Sequence, residues 1–422
     1  MSVIYGRASY GRSGVPEEVE EVLRYMRALE FEYASHLCKS LVARDLPAAP
    51  ALLALSEADR RYFSLNHGPD LVMLYKGVIS DMGKLAHGTN SPLADCAAIL
   101  QVRLAALHVY LILTDLLAIA ERPGSKPADL EGPEGELEEA EETLLQQMYH
   151  VTHWTPHQLF VPLKRQTMAE VSLLRRLLAV RRAVRAVDVK EAMFGLHRCK
   201  VELGSWEELA PQRGQETGNF AALPLAKWLA KFYDALLGKS SAYFANFLGE
   251  QGALVGDSKL PPSSPGTAAF AVRERVNALV GSGKVSLVAI VLQEDRGLHG
   301  DGWSLARNEL RGGLAAWPAL FHAPHSATSL RAAHWPNVVS MIMDHAPRLQ
   351  EGVLVVYYDR AVKTTYVLQP IEPRITLVFL VVDKRAELAV LKSFASNLAR
   401  SLRIAFPRLK EKVPVHRPSA SR

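Results

Sequence analysis

The sequence predicts an α+β protein of two domains, an N-terminal all-α helical bundle and a C-terminal antiparallel sheet of about five strands flanked by helices. Its 422 residues exceed the size of one ordinary compact core. In the first part, apolar residues recur every three or four positions, the period of an amphipathic helix. In the last part, short runs rich in Val, Ile, Leu and Tyr are typical of strands. We predict a bundle over residues 1–248, a linker over 249–266, the α+β domain over 267–406 and a basic flexible tail over 407–422.

The N-terminal helices are predicted from their apolar stripes. The segment 16–44 begins with Pro16 and several glutamates, which a helix N-terminus favours, and is expected to form one helix. Residues 121–136 are rich in Gly, Pro and acids and are expected to form an exposed loop. Asp188 is expected to cap the helix that follows it. The other predicted helices cover residues 52–65, 71–85, 92–120, 138–150, 160–187, 188–209 and 225–247.

One apolar stretch, residues 104–120, resembles a membrane span in composition. His108, Thr114 and Asp115 interrupt it, and it is shorter than the about 20 apolar residues that a span needs. We therefore predict a buried helix of the bundle, and we expect membrane contact only through partners.

Composition excludes several classes of protein. A formal net charge of +5 is small for this length and does not indicate dedicated nucleic-acid binding. The three cysteines, Cys38, Cys96 and Cys199, lie far apart and contain no CxxC pair. This spacing favours neither a disulfide framework nor a thiolate zinc site, and it is typical of a reducing compartment such as the cytoplasm.

The C-terminal part is predicted to contain a helix at each end, over residues 270–280 and 385–406, around the sheet. The last three predicted strands are too close in sequence for crossover helices, so they are expected to pair as antiparallel hairpins. Roadblock, longin and PAS-like sandwiches have this general composition, and the strand order is left open. The predicted strands cover residues 285–292, 338–343, 353–358, 364–368 and 375–382.

The motifs that could carry chemistry are weak. The segment Gly281-Ser-Gly-Lys284 lacks the first Gly and the final Ser or Thr of a phosphate-binding loop, so a turn is predicted. His150, His153 and His157 have helical spacing, but Thr155-Pro156 interrupts it, and no nearby acid completes a zinc site. His322 and His325 flank a loop, and the sequence contains no GxSxG pentapeptide. We predict no catalytic residue, cofactor or metal.

A basic helix face is a candidate interaction surface. Arg175, Arg182 and Arg185, together with Arg176 and Arg181, lie on the predicted helix 160–187. They could bind phosphates or an acidic partner, or they could form a solvated helix face. The aromatic residues of a single-strand nucleic-acid platform are absent between them.

Three groups of residues carry a family resemblance. His334-Trp-Pro-Asn-Val-Val-Ser-Met-Ile-Met-Asp344 precedes Tyr357-Tyr-Asp-Arg-Ala-Val-Lys-Thr-Thr-Tyr-Val-Leu368 and then Glu372-Pro-Arg374. Trp228-Leu-Ala-Lys231, with Leu236-Leu237, Lys239, Ser241 and Tyr243-Phe244, forms the second group. The segments 153–163 and 196–206 form the third. Together they resemble the KICSTOR subunit 2 family over about residues 52–402, with departures in the first 20 residues, in 121–142 and in 298–330.

The resemblance implies a non-enzymatic scaffold subunit. Its implied partners are the large KICSTOR scaffold subunit, kaptin and the FG-GAP-repeat subunit. That assembly would bring the GATOR complex to the lysosomal membrane, where the protein would be peripheral, and would restrain TOR signalling during amino-acid or glucose shortage. The resemblance supplies no catalytic residue, and it leaves self-association open. The alternative hypothesis is a hydrolase or nucleotide-binding enzyme that uses the C-terminal sheet, which requires a polar pocket with convergent titratable groups.

The segment His334-Trp335-Pro336-Asn337 is predicted to form a turn. Pro336 favours an extended backbone at Trp335, and the indole can bury a large apolar area. Trp335, with His334 beside it, is therefore interpreted either as a structural anchor at the entrance of a strand or as an aromatic hot spot for a partner subunit.

Overall fold

The computed structural model describes residues 17–44, 46–86, 92–122, 126–153, 156, 158–208, 223–255, 268–293, 313–324, 328–382 and 388–404. Within these ranges the N-terminal part is all-α, and the C-terminal part is an antiparallel sheet with helices, as the sequence predicts. The N-terminal helices are α1 (Glu17–Arg27), α2 (Phe31–Val42), α3 (Ala49–Phe63), α4 (Pro69–Leu85), α5 (Pro92–Ala120), α6 (Glu131–Thr152), α7 (Val161–Arg185), α8 (Val189–Glu208) and α9 (Pro224–Val255).

The first predicted helix, 16–44, is in fact two helices. The chain turns at Leu29, whose φ of 64° lies in the left-handed region. The Glu30 amide donates to the carbonyl of Tyr25 at 2.9 Å, a bond that closes the end of α1. Phe31, the first residue of α2, then stacks on Phe63 of α3 with ring centroids 5.8 Å apart. This contact and the closing bond outweigh the continuous helical pattern of the sequence.

The predicted exposed loop 121–136 is also partly wrong. A 3₁₀ turn occupies Pro127–Leu130, and α6 begins at Glu131, seven residues before the predicted start at 138. Glu131 and Glu134 lie in its first turn, where negative charge stabilises the helix N-terminus. The predicted cap at Asp188 is confirmed, because its Oδ1 accepts the Glu191 amide at 3.0 Å.

The C-terminal part forms one five-stranded sheet of order β2-β1-β5-β4-β3, with every neighbouring pair antiparallel. The predicted hairpin pairing of the last three strands is confirmed. Its elements are α10 (Ala268–Gly281), β1 (Leu287–Leu292), β2 (Ala319–Ala323), α11 (Thr328–Asp344), α12 (Ala346–Gln350), β3 (Val355–Asp359), β4 (Thr364–Glu372), β5 (Ile375–Val381) and α13 (Leu388–Ile404).

The strand predicted over 338–343 is wrong, because these residues lie in α11. Val338, Met341 and Ile342 are buried while Met343 is 59% exposed, a pattern that follows the helical period. Burial of this stripe against the sheet outweighs the strand preference of Val and Ile. The fifth strand is instead β2, which lies inside the segment 298–330 and has only five residues.

Helices cover both faces of the sheet. Alternating residues of β1, including Val288 and Ile290, face the large core that also contains the N-terminal helices. The intervening residues, including Leu287 and Ala289, face a smaller core formed with α11 and α12. Burial on both faces explains why β1 and β5 are nearly continuous apolar runs rather than alternating ones, and every residue of β4 is buried as well.

The N-terminal helices and one face of the sheet share a single core. That core includes side chains of α5, α7 and α9 together with Leu377 and Phe379 of β5 and Leu398 of α13. Helix α9 continues to Val255, into the segment 249–266 that was predicted to be a linker; the rest of that segment lies outside the described residues. The predicted tail 407–422 also lies outside them. The proposed domain boundaries thus stay a prediction, while the apolar core crosses between the two halves.

We expect a chain cut between residues 256 and 266 to remain one particle, because the shared core holds the two fragments together. A specific protease site inserted there, followed by size-exclusion chromatography without denaturant, tests this. The two fragments should elute together and melt in one transition. Separate elution of two folded fragments would instead support two independent domains.

Helix α5 lies at the centre of the bundle. Among the described residues, Leu93–Ala120 is the helix long and apolar enough to cross a membrane by length and composition alone. However, 67% of its most apolar window is buried inside the protein, where it contacts α4, α6 and α7. This packing agrees with the predicted role of residues 104–120 as a core helix.

Candidate functional site

A buried polar cluster crosses the middle of the helical bundle. Arg103 of α5 is completely buried, and its Nη1 donates to Oδ2 of Asp59 on α3 at 2.7 Å. Its Nε donates to Oγ1 of Thr167 on α7 at 3.0 Å. The Tyr75 hydroxyl of α4 donates to the other Asp59 oxygen at 2.7 Å. These bonds tie four helices together through groups that would be costly to bury alone.

Glu170 of α7 completes this cluster. Its Oε1 accepts the hydroxyls of Tyr62 at 2.6 Å and Tyr110 at 3.1 Å. Burial raises the pKa of Glu170 to about 7, and the Tyr62 hydrogen bond and the Arg103 charge oppose only part of that shift. The side chains of the cluster are buried from solvent. They connect the helices of the bundle, and a substrate in solution does not reach them.

A surface groove of about 330 Å³ lies where the helices meet the sheet. One wall is the start of α6, and the other is formed by the β4–β5 turn and the end of α13. Its lining residues are Leu130, Glu131, Glu134, Gly135, Glu138, Arg185, Ile371, Glu372, Pro373 and Arg403. No Ser, Cys or His lies among these lining residues, so they supply no nucleophile paired with an imidazole base.

The floor of the groove is an ion-pair network. Both Nη atoms of Arg181 contact the Glu134 carboxylate, and Arg185 Nη1 lies 2.9 Å from the same group. Arg185 also lies 3.8 Å from Oε1 of Glu372, which accepts a hydrogen bond from the buried Lys239 ammonium. The network therefore links α6, α7 and α9 to β4, and its function in the fold is to join the helices to the sheet.

The titratable groups of this network are perturbed by burial and by one another. Burial lowers the pKa of Lys239, and the neighbouring Glu372 carboxylate opposes that shift. Burial alone would raise the pKa of Glu134, but the hydrogen bond and charge of Arg181 and the charge of Arg185 outweigh it, so the pKa is lowered. Perturbed groups are common at catalytic sites, but structural ion pairs produce the same shifts.

The predicted basic face of α7 is largely neutralised within the protein. Arg182 lies 3.0 Å from Glu141 of α6, and Arg185 belongs to the groove network. Arg176 lies 2.9 Å from Glu202 of α8. Arg175 is half-buried on the same helix. As an interaction surface this face stays a prediction, and the structure assigns most of its charge to contacts between helices.

The predicted turn around His334 and Trp335 is wrong, because both residues lie inside α11, which continues through Pro336. The preference of a residue before proline for extended backbone is local, and the packing of α11 on the sheet overrides it. Trp335 is half-buried, and its Nε1 donates to the Trp317 carbonyl at 3.1 Å. His334 Nδ1 lies 2.7 Å from the Tyr366 hydroxyl of β4. These contacts hold α11 against the sheet and the Trp317 backbone, and the partner hot spot at His334 and Trp335 stays a prediction.

The candidate residues do not form one site. Helix α11, with His334 and Trp335, covers one face of the sheet, while α7, with its arginines, belongs to the core on the other face. His150 and His153 are exposed on α6 and beyond its end, and His157 lies outside the described residues. Within the described ranges, no three potential metal ligands are grouped.

The remaining sequence motifs have local structural explanations. In the segment 281–284, the Ser282 and Gly283 amides donate to carbonyls of α10 at 3.0 Å, so the predicted turn is confirmed. His322 is buried on β2, and Arg331 Nη1 lies 3.3 Å from its Nδ1. His325 lies outside the described residues.

Sequence patterns gave little indication of the two buried networks. Their members lie on different helices and, for Glu372, on strand β4, and Arg103 and Glu170 are 67 positions apart in the sequence. One sequence pattern could have indicated the networks, namely a charged residue on the apolar side of a predicted helix. Arg103 on α5 and Lys239 on α9 both have this position. Such a residue needs a buried counter-charge, but the sequence does not identify the partner.

Comparison with known proteins adds the family to this geometry. A family model described as KICSTOR complex C12orf66 like matches residues 133–412, which include every lining residue of the groove except Leu130 and Glu131. KICSTOR subunit 2 of Xenopus laevis is 27% identical over 267 residues, covering 58% of this chain and 57% of that protein. KICSTOR subunit 2 of Danio rerio is 24% identical over 267 residues, covering 60% of this chain and 58% of that protein. The chain thus spans less than two thirds of the length of these relatives.

The matched region begins inside α6 and extends past the end of α13, so it contains the whole sheet and the helices α7 to α9 that share its core. The predicted resemblance is confirmed over this region. On the strength of a family model that covers well over half of its residues, the chain belongs to the KICSTOR complex C12orf66-like family.

Proposed function

We propose that this protein is a non-enzymatic scaffold subunit of a KICSTOR-like complex. The observation that carries the proposal is the family match over residues 133–412, together with two relatives that are named KICSTOR subunit 2. The ion pairs of Glu134, Arg185 and Glu372 at the groove support a scaffold over the alternative of a hydrolase or nucleotide-binding enzyme. Those charges stabilise the junction of helices and sheet and supply no nucleophile with a base.

The proposed partners are the large KICSTOR scaffold subunit, kaptin and the FG-GAP-repeat subunit. In this proposal the assembled complex holds the GATOR complex at the lysosomal surface and restrains TOR signalling during amino-acid or glucose shortage. The protein itself is cytoplasmic and reaches the membrane through its partners. A tether of this kind acts by raising the effective concentration of one protein beside another, without bond chemistry of its own.

Loss of the protein is expected to leave TOR activity high after amino-acid withdrawal, because GATOR would no longer be held at lysosomes. The experiment restores cells lacking the gene with the wild-type chain or with single variants, and it measures TOR output, GATOR position and protein abundance. Trp228→Ala is expected to fail through low abundance, because it truncates a buried indole whose loss costs about 3–5 kcal/mol.

An exposed polar variant such as His153→Ala serves as the matched control and should restore TOR control fully. Normal TOR regulation in cells lacking the protein would refute the proposed function. Loss of TOR control by an exposed Ser, His or Asp variant with normal abundance and assembly would refute the non-enzymatic part of it.

A further inference from the structure

Helix α8 has one face in the core and one face toward solvent. Its inner stripe, with Ala192, Leu196, Cys199 and Trp206, is buried against neighbouring helices, chiefly α7 and α9. These spacings of three, four and seven residues place all four side chains on one side of the helix. The outer side therefore lies outside the apolar core.

The outer face presents three large apolar side chains to solvent, with the exposed ring of His197 among them. Met193, Phe194 and Val201 are 41%, 55% and 59% exposed. Phe194 and Val201 are two turns apart and lie within about 20° of each other around the helix axis. Single exposed apolar residues are ordinary, whereas several of them on one helix face mark an interaction surface.

Cations surround these apolar side chains. Lys190, Arg198 and Lys200 are exposed on α8, and no carboxylate forms an ion pair with them in the part of the chain that the structure describes. Glu191 is the exposed acid among the described side chains of this helix. Helix α7 differs in this respect, because its arginines form ion pairs with glutamates of the same chain. These arginines are Arg176, Arg181, Arg182 and Arg185.

The shape of the face favours a helix as its occupant. From Met193 to Val201 the apolar side chains extend about 12 Å along the axis. Gly204 and Ser205 follow as exposed residues with small side chains, which allow another backbone to approach closely. A strip of one helix width, with ridges spaced by three and four residues, is complementary to a second helix packed along it.

Resting on the proposed function, we propose that the outer face of α8 docks another subunit of the complex through an α-helix whose apolar stripe is bordered by Asp and Glu. Met, Phe and Arg are enriched at the centres of protein interfaces, and the cations of α8 select an acidic border by charge complementarity. A stable interface covers about 800 Å² on each partner, more than one helix face supplies, so neighbouring surface contributes the remainder.

The test co-expresses the large scaffold subunit, kaptin and the FG-GAP-repeat subunit without this protein. It then measures the affinity of the separately purified full chain, wild type or variant, for that assembly. The variant Phe194→Glu/Val201→Glu places carboxylates against the acidic border and should weaken binding at least about tenfold. Phe194→Leu should bind nearly as well as wild type. Arg198→Glu should weaken binding and reduce its dependence on salt.

Met73→Glu is the matched control, because Met73 is 67% exposed on α4 and lies outside the family match. It should bind like wild type. Far-UV circular dichroism and the urea midpoint must be unchanged in Phe194→Glu/Val201→Glu, as expected for exposed positions. The docking surface is supported if Phe194→Glu/Val201→Glu is folded but does not bind, while the Met73→Glu control binds.

Three results would overturn the inference in distinguishable ways. Wild type and Phe194→Glu/Val201→Glu binding equally well would refute the α8 surface and leave the proposed function intact. Wild type failing to bind these subunits would refute both. The third result would assign the face to an anionic membrane instead. In that case Phe194→Glu/Val201→Glu would still join the assembly, but it would no longer sediment with phosphatidylserine-containing vesicles, as wild type does in preference to phosphatidylcholine vesicles.

Discussion

Replacing Arg103 with Met is expected to lower the free energy of unfolding by about 3–5 kcal/mol, a large fraction of the stability of an ordinary protein. The guanidinium is completely buried, and Asp59 beside it is 2% exposed. Burial alone would lower the pKa of Arg103, but the Asp59 charge outweighs it and the pKa is raised, so the guanidinium is charged in the folded protein. Met fills a similar volume but leaves the Asp59 carboxylate buried without its counter-charge.

Urea unfolding of Arg103→Met measures this loss, with Arg60→Met as the matched control. Arg60 forms an ion pair with Glu57 at 2.8 Å on the surface of α3, where such pairs contribute about 0–1 kcal/mol. The double variant Arg103→Met/Asp59→Leu removes both charges and should recover much of the lost stability. Equal small effects of Arg103→Met and Arg60→Met would show that the buried pair does not stabilise the bundle.

Replacing Glu170 with Gln is expected to change how stability depends on pH. Burial raises the pKa of this carboxyl from 4.5 to about 7, so the folded state binds its proton more tightly than the unfolded chain does. Its contribution is fully present below about pH 4.5 and is lost as pH rises through about 7. The loss amounts to about 3 kcal/mol across this window.

The measurement is the free energy of unfolding of wild type minus that of Glu170→Gln, at several pH values from 4.5 to 8. Because Gln does not titrate, this difference should fall by about 3 kcal/mol as pH rises. A constant cost of burying the amide shifts the whole difference curve without changing its slope. Glu136→Gln, at an exposed position of α6, is the control. A flat difference curve for Glu170→Gln would contradict a raised pKa.

The sequence predicted the fold class and most helices because their apolar stripes are local patterns. It failed where a tertiary contact decided between two local conformations. Residues 338–343 contain strand-forming Val and Ile, yet they lie in α11 because that helix buries Val338 and Ile342 on the sheet. The strand β2 was missed because its residues, including Phe321 and Ala323, form a strand by pairing with β1. A run of five residues is too short to predict such a pairing from its own sequence.

The candidate sites were harder to predict for the same reason. The arginines of α7 form a visible basic cluster in the sequence, but Glu134 lies 47 positions before Arg181 and Glu141 lies 41 positions before Arg182. Sequence alone cannot distinguish charges that are paired across helices from charges that are available to a partner. Helix α8 shows the opposite case. Its sequence does not single out Lys190 and Arg198, and only the packed helices show that both are exposed.

The shared core has a consequence for how the surfaces of this protein can be mapped. Truncation is the common first experiment for locating a binding region, and it assumes that the retained piece keeps its shape. Here a fragment ending before α10 would expose the helix side chains that cover Leu377 and Phe379, and a fragment beginning there would expose the sheet. Either piece would present several new apolar surfaces to solvent and would be prone to stick to unrelated proteins. Binding gained or lost on truncation would then report damage to the particle rather than the position of an interface. Point substitutions at exposed residues of the full chain are the appropriate way to map it.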